Sequence, residues 1–525
     1  MTPVTAETES ERCQLLEHET ESYHRDGRTS NGFELGDPRN PLNWSPSMKR
    51  GIVMCLTAAA FMVTFTCMSV VPIANTIVID LATTNPLPIP AAPNTTTTRT
   101  TTLTTNPLTP LTTPSTVLPI TIWEFGEALG PLLIAPFSEL FGRAPVFHTA
   151  NALFFLSTIL SACSPSMPLF IASRALTGLS VASNVLGPAI VGDVFVPEQR
   201  GGALSIVGVA PLLGGTAGPV VGGLLAELMG WRAVLGACVG LAGVVGVGFV
   251  VWLRETYAPV ILQQKKKSVG EAMGKGGGLE SGKGGKGGYG AVSVSHPGSL
   301  FWASIVRPAS VLCSSGVMVG LSLFSSAVYA HFYILATTLP TILSDRYGLS
   351  PSATGSAFLF NGIGSYIAIL VCRTWLDKIY VKLRDANNGV GLPEFRLPIA
   401  IFAAFLMPAA LLLYGWSAEY TLPLPFILVS IIGIRMSMTM INVPVMVYVV
   451  DACGIYSASA FTGITVIRSL AGAFLPLGTA GLIHHLGFGW GYTALSMMNL
   501  VLAVVPVLLL KYGSKWRKSS PYTQA

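Results

Sequence analysis

Twelve apolar segments constrain this chain more than any other feature, because each has about the roughly 20 residues that a helix needs to cross a hydrocarbon core. They lie near residues 51–73, 117–137, 145–165, 168–192, 201–226, 233–253, 310–336, 352–372, 398–415, 424–450, 457–482 and 490–510. Six precede a polar stretch at about 255–307 and six follow it. The fold expected is therefore an all-α polytopic membrane protein, with twelve transmembrane helices in two six-helix halves. The boundaries implied are an N-terminal tail over 1–50, a first half over 51–253, a linker over 254–308, a second half over 309–510 and a C-terminal tail over 511–525. With 51% hydrophobic and 11% charged residues, and a mean hydropathy of +0.60, a soluble globular protein is excluded.

Basic residues set the topology. Lys49, Arg50, Arg143, Arg200, Lys265 to Lys267, Arg373, Lys378, Lys382, Arg384, Arg396, Lys511, Lys515, Arg517 and Lys518 fall in the tails and even-numbered connections. The odd-numbered connections hold only Arg99, Arg232 and Arg346, so both termini are expected in the cytoplasm. The net charge of +6 then reflects topology, and nucleic acid is not an expected partner. The first fifty residues lack an apolar core, so no cleavable signal peptide is expected. The Lys- and Gly-rich linker reads as a solvated tether. Segment 82–116, almost wholly Thr, Pro, Asn and Leu, would be an outer loop, and Asn94-Thr95-Thr96 in it is a glycosylation sequon. The eight cysteines show no metal-ligand spacing, and no metal or cofactor is expected. A phosphate-binding glycine loop and a nucleophile elbow are both missing, which argues against an ATP-driven pump or an enzyme.

Within the fifth segment runs Gly214-Gly215-Thr216-Ala217-Gly218-Pro219-Val220-Val221-Gly222-Gly223. Glycines four apart share a face and let a neighbouring backbone approach, while Pro219 removes an internal hydrogen bond. Gly214, Gly218, Pro219, Gly222 and Gly223 are thus expected to form a packing hinge. Between spans two and three stands Gly130 to Pro145, with Glu139, Gly142 and Arg143; span four carries Arg174, Gly178, Asn184, Pro188 and Asp193.

Together these three stretches resemble the signatures of the major facilitator superfamily, and the glycine-proline run is similar to that of its twelve-span antiporter members. Asp37 to Ser45, Arg254 to Pro259, Pro393 to Pro398 and Asp451 to Arg468 resemble the fungal drug:proton antiporter branch. The resemblance covers about residues 37–515. It implies the major facilitator fold, alternating access around a midplane cavity, and a functional monomer that exports a small amphiphilic molecule (a secondary metabolite, toxin, organic acid or drug) in exchange for protons. The plasma membrane is the expected site, with the vacuolar membrane as the alternative. An uptake permease of the same fold and a non-transporting receptor or scaffold remain alternatives. The resemblance also implies a conformational latch at Glu139, Gly142 and Arg143. From the residues alone, Glu139 and Arg143 are four apart at a helix end, suited to a charge pair or to contacts with neighbouring helix termini.

Charges inside a bilayer are costly, so each is a functional candidate. Glu124 and Glu127 share a face of span two, and Arg174 lies at nearly the same depth. A pair between Arg174 and one of these carboxylates is expected, either coupling a proton to transport or ordering the bundle as a static ion pair. Arg435 and Arg468 read as donors to carbonyls of broken helices, with an anionic substrate as the alternative. Asn184, Tyr329, His331, Tyr333 and Asn361 are the candidate cavity residues, with Phe332 beside them.

Overall fold

The computed structural model describes residues 33–34, 36–84, 114–265, 306, 308–454 and 457–517. The sequon at Asn94, the central part of the threonine-rich segment, the basic stretch of the linker and most of both tails lie outside the described residues. The described residues are nearly all helical. Eleven helices among them are long and apolar enough to cross a membrane. The last, Ser459–Arg517, is a pair of spans, because Gly487 takes φ 78° and ψ 174° inside it and turns the chain. A residue with a Cβ is strained at that φ, and the twelfth helix is then capped by Glu419, which accepts from the amides of Phe488 and Gly489 at 2.9 and 3.2 Å. Twelve spans in two sets of six result, as the hydropathy pattern requires.

Spans one and four are among those broken where hydropathy alone reads them as continuous. The first runs as Pro46–Met68, a 3-10 turn at Val71–Ile73 that contains Pro72, and Ala74–Thr84. It therefore extends beyond residue 73, and Asp80 in the extension is satisfied by the Trp231 indole at 2.9 Å and Arg232 at 3.0 Å. The fourth span is Met167–Leu179 followed by Ser183–Val194.

The glycine-proline run lies against the backbone of two neighbouring spans. A Cβ on Gly214, Gly218 or Gly222 would lie 2.5, 2.8 or 2.2 Å from the carbonyl oxygens of Phe61, Phe65 and Ser69 on span one. One residue on, a Cβ on Gly223 would meet the Pro351 carbonyl at 2.2 Å, and one on Gly355 would meet that of Pro219 at 2.2 Å. Span five, Pro197–Met229, thus touches span one with one face and the start of span eight, Pro351–Ala357, with another. Backbones this close exchange extensive dispersion contacts, the main source of helix association in lipid.

These contacts also locate the closed end of the molecule. Asn75 donates to Thr341 at 3.5 Å and the Ser352 amide donates to Glu227 at 3.1 Å, both between halves and both at the end that the basic residues assign to the outside. A small cavity lined by Ser325, Asn442, Met446, Phe461, Ile464 and Arg468 lies toward the other end.

Candidate functional site

At mid-depth, span two (Pro114–Phe141) presents Trp123, Glu124 and Glu127 to the centre of the bundle. The approach is close because Gly126 and Gly178 are bare: a Cβ on Gly178 would sit 2.1 Å from the Trp123 carbonyl. Glu124 is fully buried, and its Oε1 accepts from the Tyr333 hydroxyl at 2.5 Å. Tyr333 belongs to span seven, Gly316–Asp345, so this bond joins the two halves. The other oxygen, Oε2, has no hydrogen-bond partner among the described residues and abuts Gly472 of span eleven, whose Cβ would lie 3.3 Å away. Glu127 is satisfied on both oxygens, by the Trp123 indole at 3.1 Å and by Asn184 at 2.6 Å. Asn184 is itself exposed just after the break in span four, so Glu127 is one hydrogen bond from accessible space.

Arg174 does not pair with either carboxylate, which corrects the expected ion pair. Its guanidinium donates to the carbonyls of Thr66 and Cys67 at 3.3 and 3.2 Å and stacks over Trp123 at 4.6 Å. Those carbonyls sit where the first helix of span one ends at Met68, so the arginine supplies donors that the interrupted helix lacks. The cation that acts electrostatically on both Glu124 and Glu127 is Arg468, from span eleven. It stacks over Tyr329 at 4.4 Å, and its Nε has no partner among the described residues. Arg435 in span ten, Leu424–Cys453, stacks over Phe332 at 4.7 Å and donates to Ser365 at 2.8 Å and to the Met438 sulfur at 3.5 Å. Neither arginine donates to a backbone carbonyl among the described residues. The role expected for Arg435 and Arg468 belongs instead to Arg174, because its neighbour is the broken helix.

Of the candidate cavity residues, Tyr329 and Tyr333 face each other at 5.7 Å beside Arg468 and Glu124. Asn361 is buried in span eight, and neither side-chain atom has a hydrogen-bond partner among the described residues. His331 turns away: Nδ1 lies 2.7 Å from the Ala327 carbonyl and must donate, which leaves Nε2 to accept from Asn499 at 2.9 Å. It is a satisfied neutral imidazole packed on span twelve, and it leaves the set of cavity residues. Trp123 was missed by sequence reasoning, although its place four residues before Glu127 put it on the same helix face.

At the inner end, Gly142 takes φ 101° and Arg143 opens span three. Glu255, just after span six, accepts from the amides of Arg143 and Ala144 at 2.9 and 3.3 Å and so caps that helix. The Arg143 side chain pairs with Asp193 of span four at 3.5 Å, donates to Ser138 at 2.6 Å and stacks over Tyr257 at 4.9 Å. Glu139 is exposed and makes no ion pair with Arg143 among the described residues. The charge pair between Glu139 and Arg143 is thus replaced by contacts to neighbouring helix termini. The second half repeats the arrangement: Arg396 pairs with Asp451 of span ten at 3.1 Å and with Asp377 at 2.6 Å, and stacks over Tyr380 at 4.0 Å.

Two six-span halves that meet over a buried polar cluster, each with a matching ionic cluster at its other end, define a polytopic membrane transporter. The chain belongs to the Major Facilitator Superfamily, whose model matches residues 53–476. Among its relatives, the efflux pump radE of Floropilus chiversii is 32% identical over 92% of this chain and 83% of its own. The MFS transporter cpaT of Aspergillus oryzae is 33% identical over 93% of this chain and 91% of its own. Among solved structures, the xylose transporter XylE from E. coli, in a partially occluded inward-open conformation, superposes with a TM-score of 0.60 at 14% identity, over 89% of this chain and 98% of that one. The human organic anion transporter MFSD10 superposes with a TM-score of 0.52 at 18% identity, over 88% of this chain and 100% of that one.

Proposed function

We propose that this transporter exports a small amphiphilic organic compound from the cell in exchange for protons, as a monomer in the plasma membrane. Relatives of nearly the same length named as an efflux pump and as MFS transporters support export. The observation that carries the proton step is the bond from Tyr333 to Glu124, since it links a buried carboxyl of one half to the other half. When the outer end opens, the halves separate, the bond breaks, and Glu124 meets external water and takes a proton. Closure of the outer end restores the bond and delivers the proton to the inner side, where Asn184 and Glu127 border accessible space. The inner ionic clusters of Arg143 and Arg396 hold the helix ends in register during this rocking.

The test is efflux of a panel of labelled amphiphiles from cells that express the chain, with and without a protonophore. Export that the protonophore abolishes and that Glu124→Gln removes, with surface protein unchanged, supports the proposal. Export that persists through both treatments rejects the proton step. Accumulation above the empty-vector control reverses the assigned direction.

A further inference from the structure

At mid-depth of the bundle stand three guanidinium groups, Arg174 buried and Arg435 and Arg468 partly exposed, with two buried carboxyl groups, and their pairing is unequal. Arg174 is consumed by the broken helix of span one, and Arg468 stacks on Tyr329 beside the Tyr333–Glu124 bond. Arg435 has no carboxylate within ion-pair distance among the described residues. One hydroxyl and a thioether sulfur, a weak acceptor, take two of its five donors. A partly exposed guanidinium at this depth, with most of its donors unused by the protein, is open to an anion.

A second observation points the same way. Asn361 stands one helical turn before Ser365 on span eight, so it shares the face that meets Arg435. Its amide is 5% exposed with neither the oxygen nor the nitrogen partnered among the described residues. A buried amide of this kind has full hydrogen-bonding capacity held toward the interior. Gly364 fixes the geometry, because a Cβ there would lie 2.6 Å from the Ile432 carbonyl and 3.1 Å from Arg435 Cβ. Phe332, half-buried beneath the guanidinium, adds an apolar wall, and Tyr329 follows on the next turn of span seven.

We infer that Arg435 and Asn361 form a receptor for the acidic group of an aromatic organic anion, with Phe332 and Tyr329 flanking its ring. The planar fork of the guanidinium matches a carboxylate or an enolate, and the Asn361 amide supplies a further donor. The inference rests on the export reading only for the use of the site; the binding chemistry stands on these residues alone.

The experiment uses the full chain in lipid nanodiscs, with empty nanodiscs as the reference. Binding is measured for three matched acid and amide pairs: benzoate and benzamide, 1-naphthoate and 1-naphthamide, and pyrene-1-butyrate and its amide. At least one acid is expected to bind about tenfold or more tightly than its amide. Arg435→Gln should erase that preference and leave the amide's affinity in place, Arg435→Lys should retain part of it, and Asn361→Ala should lower it severalfold. Equal binding of acid and amide in every pair, or no binding of either, overturns the inference without recourse to any variant. A preference that survives Arg435→Gln overturns it as well. In parallel, cells expressing the chain are loaded with each member of the pyrene pair. If the nanodiscs show the preference and the cells extrude neither compound faster than empty-vector cells, the export reading falls and the anion site stands. Extrusion of the amide together with an absent preference in nanodiscs has the opposite meaning.

Discussion

The hydroxyl of Tyr333 lies 2.5 Å from Glu124 Oε1, and this single bond crosses the boundary between the two six-span halves at mid-depth. Tyr333→Phe keeps the ring and removes the donor, leaving a buried carboxyl with one hydrogen bond fewer, which costs about 1–3 kcal/mol. The outward-closed arrangement should lose that much. Efflux rates in expressing cells are expected to fall at least about fivefold, by the usual conversion of free energy to rate ratio, while surface protein stays near wild type. Unchanged efflux would mean that this bond plays no part in switching between states.

The glycine-proline run makes a prediction with an internal control. A Cβ on Gly222 would lie 2.2 Å from the Ser69 carbonyl, against backbone that cannot rotate away, whereas Gly215 has nothing within 4 Å. Gly222→Ala should therefore force spans one and five apart and cost about 1–3 kcal/mol, as overpacking does. Gly215→Ala should change stability by no more than about 0.5 kcal/mol. Thermal unfolding of both variants in detergent, followed by fluorescence-detected size exclusion, checks the contrast. Equal behaviour of the two would show that the run is not a packing surface.

The packing of that run was legible because glycine spacing and helical periodicity translate directly into faces. The count of spans was legible for the same reason, even at Gly487, where two apolar segments were separable although the helix is almost continuous. Partners of buried charges were not legible. Equal depth of Glu124, Glu127 and Arg174 said nothing about azimuth, and the acceptors of Arg174 are backbone carbonyls exposed by a break near Pro72 that hydropathy does not reveal. Glu255 and Asp193 lie 112 and 50 positions from Arg143, and only the closure of the first half brings the three together. His331 and Asn361 exchanged significance for a similar reason. One finds both its partners within spans seven and twelve, and the other finds none.

Arg174 gives a sharper test of that correction. Arg174→Ala removes donors to two carbonyls and the stack on Trp123, each carbonyl left unpaired costing about 1–3 kcal/mol. The expected outcome is loss of folded, surface-delivered protein, with a fall in thermal stability that Arg174→Lys reverses only in part, since an ammonium lacks the fork and the flat face. A normally folded Arg174→Ala protein that has lost only its protonophore sensitivity would restore Arg174 to the proton-coupling set.

At the inner end, the residues that hold Arg143 are separable from the residue that the superfamily signature suggested. Glu255→Ala removes the acceptor for two amides at the start of span three, which should cost about 0.5–2 kcal/mol, as loss of a helix cap does. Asp193→Asn leaves the Arg143 guanidinium without its ionic partner, so both variants should slow efflux by affecting the same cluster. Their double variant should then be less impaired than the sum of the two, because contacting residues in one network couple by about 0.5–3 kcal/mol. Glu139→Gln, at an exposed position with no ion pair to Arg143 among the described residues, should leave efflux and stability unchanged. Efflux measured at matched surface expression, with a double-mutant cycle over Glu255 and Asp193, decides the matter. Strong impairment by Glu139→Gln, or strict additivity of the other two, would return the latch to the position where the signature has it.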